Sequence, residues 1–81
     1  MERSLRNLVV NQKARITAIT ATGETSRRLR DMGLIPGTEI KIVGRAPLKD
    51  PVALRLRDFT LTLRNNEADG VMVEAMEEHH E

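Results

Sequence analysis

Residues 52–64, VALRLRDFTLTLR, alternate twice. Val52, Leu54 and Leu56 hold one phase against Ala53, Arg55 and Arg57; Phe59, Leu61 and Leu63 hold it again against Thr60, Thr62 and Arg64. A period of two marks a strand with one face buried. Arg57-Asp58 stands between the runs as a tight turn, so the segment predicts a hairpin. The same period appears in KARITAIT, with Ala14, Ile16 and Ala18 inward. TEIKIVGRA places Ile40 and Ile42 inward and Lys41 outward, and VMVEAM places Val71 and Val73 inward. Val43-Gly44 breaks the alternation, which predicts a bulge or a close backbone approach.

Between the first two strands the period changes. In ATGETSRRLRDMG, Leu29 and Met32 are three apart and share a helix face. Thr25 or Ser26 can accept from first-turn amides, and Gly33 supplies the left-handed residue that ends many helices, with Leu34 folding back on the last turn. The pattern predicts a helix over residues 26–32. Pro36 then Gly37 is the order a type II turn needs at its centre. Ahead of the first strand, Ser4 can cap a turn that sets Leu5 and Leu8 on one side. Ahead of the last, Asn65 or Asn66 can cap a single helical turn. The expected fold is mainly β: a small five-stranded SH3-like barrel, with one short helix after the first strand and a helical turn before the last. Residues 1–75 form the expected domain; residues 76–81 form an acidic tail without periodicity, expected to be disordered.

Composition narrows the chemistry. The chain has 81 residues, no Cys and one aromatic, Phe59. Thiolate metal sites, disulfides and Cys nucleophiles are excluded. No apolar run is long enough to span a bilayer as a helix, so a cytoplasmic location is expected. Residues 1–68 carry 13 basic and 7 acidic groups, whereas residues 69–81 carry 5 acidic groups and no Lys or Arg. Arg27, Arg28, Arg30, Arg55 and Arg57 raise an RNA-binding reading, but a single aromatic leaves almost no stacking surface; nucleic acid is not the expected partner. The carboxylates fall on turns, helix ends and strand faces beside basic residues, and the two imidazoles, His79 and His80, lie in the tail. No nucleophile has a base held beside it, so the chain reads as a non-enzyme. His79 and His80 are the candidate metal ligands, with no preorganisation; no cofactor is firmly implied, and weak Fe²⁺ or other divalent binding is the most the tail offers.

RRLRDMGLIPGTEIKIVGRAPLKDPVALRLRDFTLTLRNNEA resembles the FeoA family, ferrous iron transport protein A. Leu29, Gly33, Leu34, Pro36, Gly37, Ala46, Pro47, Leu48, Asp50, Pro51, Leu63, Arg64, Glu67 and Ala68 stand where that family's pattern has the same residues. Lys49 departs from it, standing where the family usually has Gly. The resemblance implies an SH3-like fold and a small accessory of ferrous iron transport. It also implies a partner, the membrane GTPase permease ferrous iron transport protein B, with recruitment to the inner face of the membrane. An alternative implied by the same resemblance is a transition-metal-responsive regulatory module, as in the C-terminal domain of iron- and manganese-dependent repressors.

The expected partner surface is the helix end together with two stiff, proline-bearing loops: Leu34, Ile35, Pro36 and Gly37 with Ala46, Pro47, Leu48, Lys49 and Asp50. Stiff exposed loops lose little entropy on binding. Self-association is open as well, because the edge strands of such a sheet can pair between copies.

Overall fold

The structure, a computed structural model, describes residues 2–46, 48 and 50–76. The elements run β1 (Glu2–Ser4), a single 3-10 turn (Leu5–Asn7), β2 (Lys13–Ile19), α1 (Gly23–Asp31) and β3 (Glu39–Arg45). They continue as β4 (Val52–Leu56), β5 (Phe59–Leu63), α2 (Asn65–Ala68) and β6 (Val71–Ala75). One antiparallel sheet has the order β1-β6-β2-β3-β4-β5. There are therefore six strands among the described residues, not five. The added one, β1, is three residues long and pairs Arg3 with Val73; so short a run carries no legible alternation.

The sheet is rolled without being closed. Laid flat, β1 and β5 would lie five steps apart, roughly 24 Å at about 4.8 Å per strand. Instead the Ser4 hydroxyl, at the end of β1, donates to the Ala68 carbonyl just beyond β5 at 3.2 Å. Arg6 forms an ion pair with Asp69 at 2.9 Å. The 3-10 turn and α2 thus bridge the two edges. Inside the roll, Ile16, Ile42, Leu54, Leu63 and Val73 from five strands join Leu5, Leu8, Leu29 and Leu34 in one core. Leu5 and Leu8 are buried as their spacing requires, and the Ser4 hydroxyl accepts from the Arg6 amide to cap the turn.

Three local expectations are corrected. Helix α1 begins at Gly23, not near Ser26, and its N-cap Thr22 makes no side-chain cap bond; Thr25 and Ser26 lie inside the helix. Helix α2 starts at Asn65 with Arg64 as N-cap, so neither asparagine caps it through its own side chain. Its reciprocal bond comes from Glu67, whose carboxylate accepts from the Arg64 amide at 3.0 Å. In β2 the register against β6 shifts between Ile16 and Ala18. Beyond that bulge Ile19, not Ala18, packs against the core. The bulge expected in β3 is present: Ile42 pairs with Leu54 and Gly44 with Ala53, leaving Val43 as the extra residue. No helix among the described residues is long and apolar enough to cross a membrane.

Candidate functional site

The loop after α1 is built by backbone bonds. Gly33, at φ +94°, lets its amide reach the Arg30 carbonyl at 2.9 Å while the Leu34 amide reaches that of Leu29 at 3.0 Å. These two bonds make a Schellman end, which needs a left-handed residue after the last helical turn. The Thr38 amide then donates to the Ile35 carbonyl at 3.1 Å across Pro36 and Gly37, with Gly37 at φ +96°, the geometry of a type II turn. The Gly37 amide donates to the Ile16 carbonyl at 2.8 Å and the Ile16 amide to the Thr38 carbonyl at 2.9 Å, tying the turn to β2. The result is a rigid loop that leaves Ile35 47% exposed. Ile35, Pro36, Gly37, Thr38, Glu39 and Arg57 line an open concavity of about 550 Å³.

The second loop joins β3 to β4. The Ala46 amide donates to the Pro51 carbonyl at 3.1 Å, and Ala46 is half-buried. Leu48 is 89% exposed. The Asp50–Pro51 peptide is cis. Asp50 turns its carboxylate to the first amide of α2, accepting from Asn65 N–H at 3.0 Å. Pro47 and Lys49 lie outside the described residues, as do His79 and His80.

These positions do not make one surface. Residues 35–37 precede the first residue of β3, and Ala46, Leu48 and Asp50 follow its last. Seven residues of strand separate them by roughly 20 Å at about 3.3 Å per residue. Leu34 is wholly buried, so it closes the core and offers no side chain to a partner. Asp50 has a local task as the acceptor at the start of α2. What stays available at the α1 end is Ile35, Pro36 and Gly37, joined there by the β4–β5 turn.

That turn brings in a residue that the alternation had placed inside. Phe59 pairs with Leu56 on the inner face of the hairpin, yet it is 47% exposed, because it stands at the turn end of β5; burial rises along the same face to Leu63, which is wholly buried at the other end. Leu56 itself lies under the helix end: a Cβ on Gly33 would meet Leu56 Cδ1 at 3.4 Å. Arg57 lines the same concavity as Ile35, and Phe59, on the other side of the two-residue turn, adds a half-exposed apolar side chain at that end of the hairpin. An aromatic beside the turn of an edge strand was the available signal.

The charged groups are mostly on the surface. Arg15 lies 3.7 Å from Glu39 and Arg28 lies 3.2 Å from Glu67. Glu67 is the one buried charged residue among those described. It takes Arg28 on one oxygen and the Arg64 amide on the other, so it links α1 to α2. Arg27 and Arg30 share a recess with Thr22, Ser26 and Asp31, while Arg55 and Arg57 lie on the sheet beside Glu39. Among the described residues no three His, Asp or Glu side chains come together as a metal-holding group.

Comparison with known proteins fits this geometry. The FeoA domain family matches residues 3–75. A Porphyromonas gingivalis protein, the Fe(2+) transport protein A/Fe(2+) transporter FeoB fusion protein, is 34% identical over 70 residues. The match takes in 86% of this chain but only 8% of that protein. The NMR structure of a FeoA-like protein from Clostridium acetobutylicum superposes with a TM-score of 0.89 at 40% identity, covering 99% of this chain and 93% of the other. The zinc complex of Stenotrophomonas maltophilia FeoA, described as a prokaryotic SH3 domain protein, superposes at 0.79 with 26% identity, covering 89% of each chain. The fold is accordingly SH3-like.

Proposed function

The chain belongs to the FeoA family, and we propose from that premise that it is an accessory module of ferrous iron transport. It works by docking on the FeoB-type transporter at the cytoplasmic face of the membrane. The observation that carries the partner is the P. gingivalis protein, in which a FeoA segment 34% identical to this chain is joined to a FeoB transporter. Covalent union of the two modules in one polypeptide is economical where they act in contact.

The docking surface is the rim at the α1 end: Ile35 and Pro36, with Gly37 shaping the loop and Arg57 and Phe59 flanking it. Its backbone is fixed by six hydrogen bonds to α1, β2 and itself before any partner arrives, so little conformational entropy is lost on docking. Half-exposed apolar side chains beside an Arg suit the anchors that dominate interfaces. The opposite loop presents Leu48 alone among its described apolar residues as a large exposed group.

Co-purification of the chain with the transporter's cytosolic domain tests this, with Ile35→Asp and Leu48→Asp compared in parallel. Ile35→Asp is expected to weaken capture by about 30-fold or more, the size of one interface hot spot, with the melting temperature unchanged. Leu48→Asp is expected to bind as the parent does. Loss with Leu48→Asp alone transfers the docking role to the β3–β4 loop, and retention by both variants rejects a docking surface at either end.

A further inference from the structure

Strand β5 ends the sheet and pairs on one side only, with β4. Its turn has two residues, Arg57 and Asp58, and Leu56 faces Phe59 across it. In such a hairpin the closing pair exchanges both backbone bonds, and bonded pairs alternate with unbonded ones. Phe59, Leu61 and Leu63 therefore bond to β4. The N–H and C=O groups of Thr60 and Thr62 point away from it, to the open edge.

Natural edges are normally blunted by charge, proline, a bulge or brevity. The opposite edge follows this rule, for β1 is three residues long and carries Glu2 and Arg3. Strand β5, FTLTL, has none of these protections. Its register with β4 is continuous, its Phe and two Thr residues favour a strand, and it holds none of the residues that strands disfavour.

We propose that β5 is a self-association edge, pairing antiparallel with β5 of a second copy about a two-fold axis through Leu61. The sequence complements itself in that register. Thr60 and Thr62 of one copy meet Thr62 and Thr60 of the other, so all four outward backbone groups on each strand are satisfied. Phe59 meets Leu63 on the inner face. One step further out on each side, Asp58 meets Arg64 of the second copy, giving two opposite-charge pairs. Neither Asp58 nor Arg64 makes an ion pair with a described residue of its own chain. A shift that centres Thr60 on itself sets Asp58 against Thr62. A shift that centres Thr62 sets it against Asn66. Either shift loses both charge pairs and half of the threonine pairs, so charge and hydrogen bonding specify the same register.

Sedimentation velocity of the full chain over a concentration series tests the proposal, together with amide exchange. A two-stranded contact of this size predicts a dimer with Kd on the order of 10–100 µM. The Thr60 and Thr62 amides gain protection as concentration rises, and those of β1 do not. Thr62→Pro removes an amide that β4 does not use, so it is expected to be monomeric at every concentration. Arg64→Asp sets like charges opposite each other and weakens the dimer by about tenfold or more; adding Asp58→Arg in the same chain restores it to within about threefold. Asp is also a favourable residue at the N-cap position that Arg64 occupies. Should Thr62→Pro fail to fold, the charge-reversal pair decides alone. A monomer up to about 1 mM, well beyond the Kd expected for a contact of this size, overturns the proposal. So does a dimer indifferent to Arg64→Asp, or one that protects β1.

Discussion

Gly70 has no room for a methyl group. A Cβ there would lie 2.6 Å from the Ala21 Cβ and 3.3 Å from the Ala21 backbone. The approach is enforced, because the Gly70 carbonyl accepts from the Thr20 amide at 2.9 Å and the Ala21 amide at 3.3 Å. Gly70→Ala is expected to cost about 1–3 kcal/mol, the usual size of overpacking. Ala21→Gly in the same chain should recover much of that loss, and a double-mutant cycle by thermal unfolding reads the coupling. Gly33 and Gly37 were legible because their reasons are local, a helix end and the residue after proline. The reason for Gly70 lies about fifty residues away in the chain and leaves no mark on its neighbours. Leu34 carried two readings: the helix end implies that it folds back on the last turn, as it does, but its place beside Ile35 and Pro36 also put it on the partner surface, which its burial excludes.

At the level of elements, hydrophobic alternation carried most of the sheet. Strands β3 to β6 lie where it put them, because each buries one face against a single core. It failed where an element is too short to show a period, as in β1, or where a bulge resets the phase, as between Ile16 and Ala18. It also says nothing about the outer face, where register decides which charges meet. Lys41 lies directly opposite both Lys13 on β2 and Arg55 on β4. Like charges directly opposite one another weaken a sheet. Arg55→Glu is therefore expected to raise stability by about 0.5 kcal/mol at low salt, corresponding to a melting temperature about 2–4 °C higher for a domain of this size. The gain should shrink towards zero near 1 M salt, where the screening length falls to about 3 Å.

For the molecule as a whole, the decisive event is bringing the two sheet edges together. Two kinds of contact do so: the buried Leu5 and Leu8, and the exposed Arg6–Asp69 pair, each side chain about half accessible. Their magnitudes differ greatly. Leu5→Ala should cost about 2–5 kcal/mol, a large part of the roughly 4–12 kcal/mol available to a domain of this length. Arg6→Ala should cost less than about 1 kcal/mol. Urea unfolding of the two variants separates them, and comparable losses would mean that the charge pair, not apolar burial, rolls the sheet. This scale was the least legible in the sequence. Two proline-bearing loops eight residues apart along the chain look like neighbours, but the residues between them form β3, a rod that holds them at opposite ends.

The pairing of β1 with β6 has a further consequence. Glu2 and Glu74 sit across from each other on adjacent strands, about 5 Å apart at their Cα atoms as antiparallel partners are. A polypeptide grafted before β1 and one grafted after β6 would be anchored at nearly the same spot on the surface. Tethering through either side therefore presents the Ile35 rim in nearly the same direction, and a gene rearrangement that exchanges one attachment for the other would preserve the geometry.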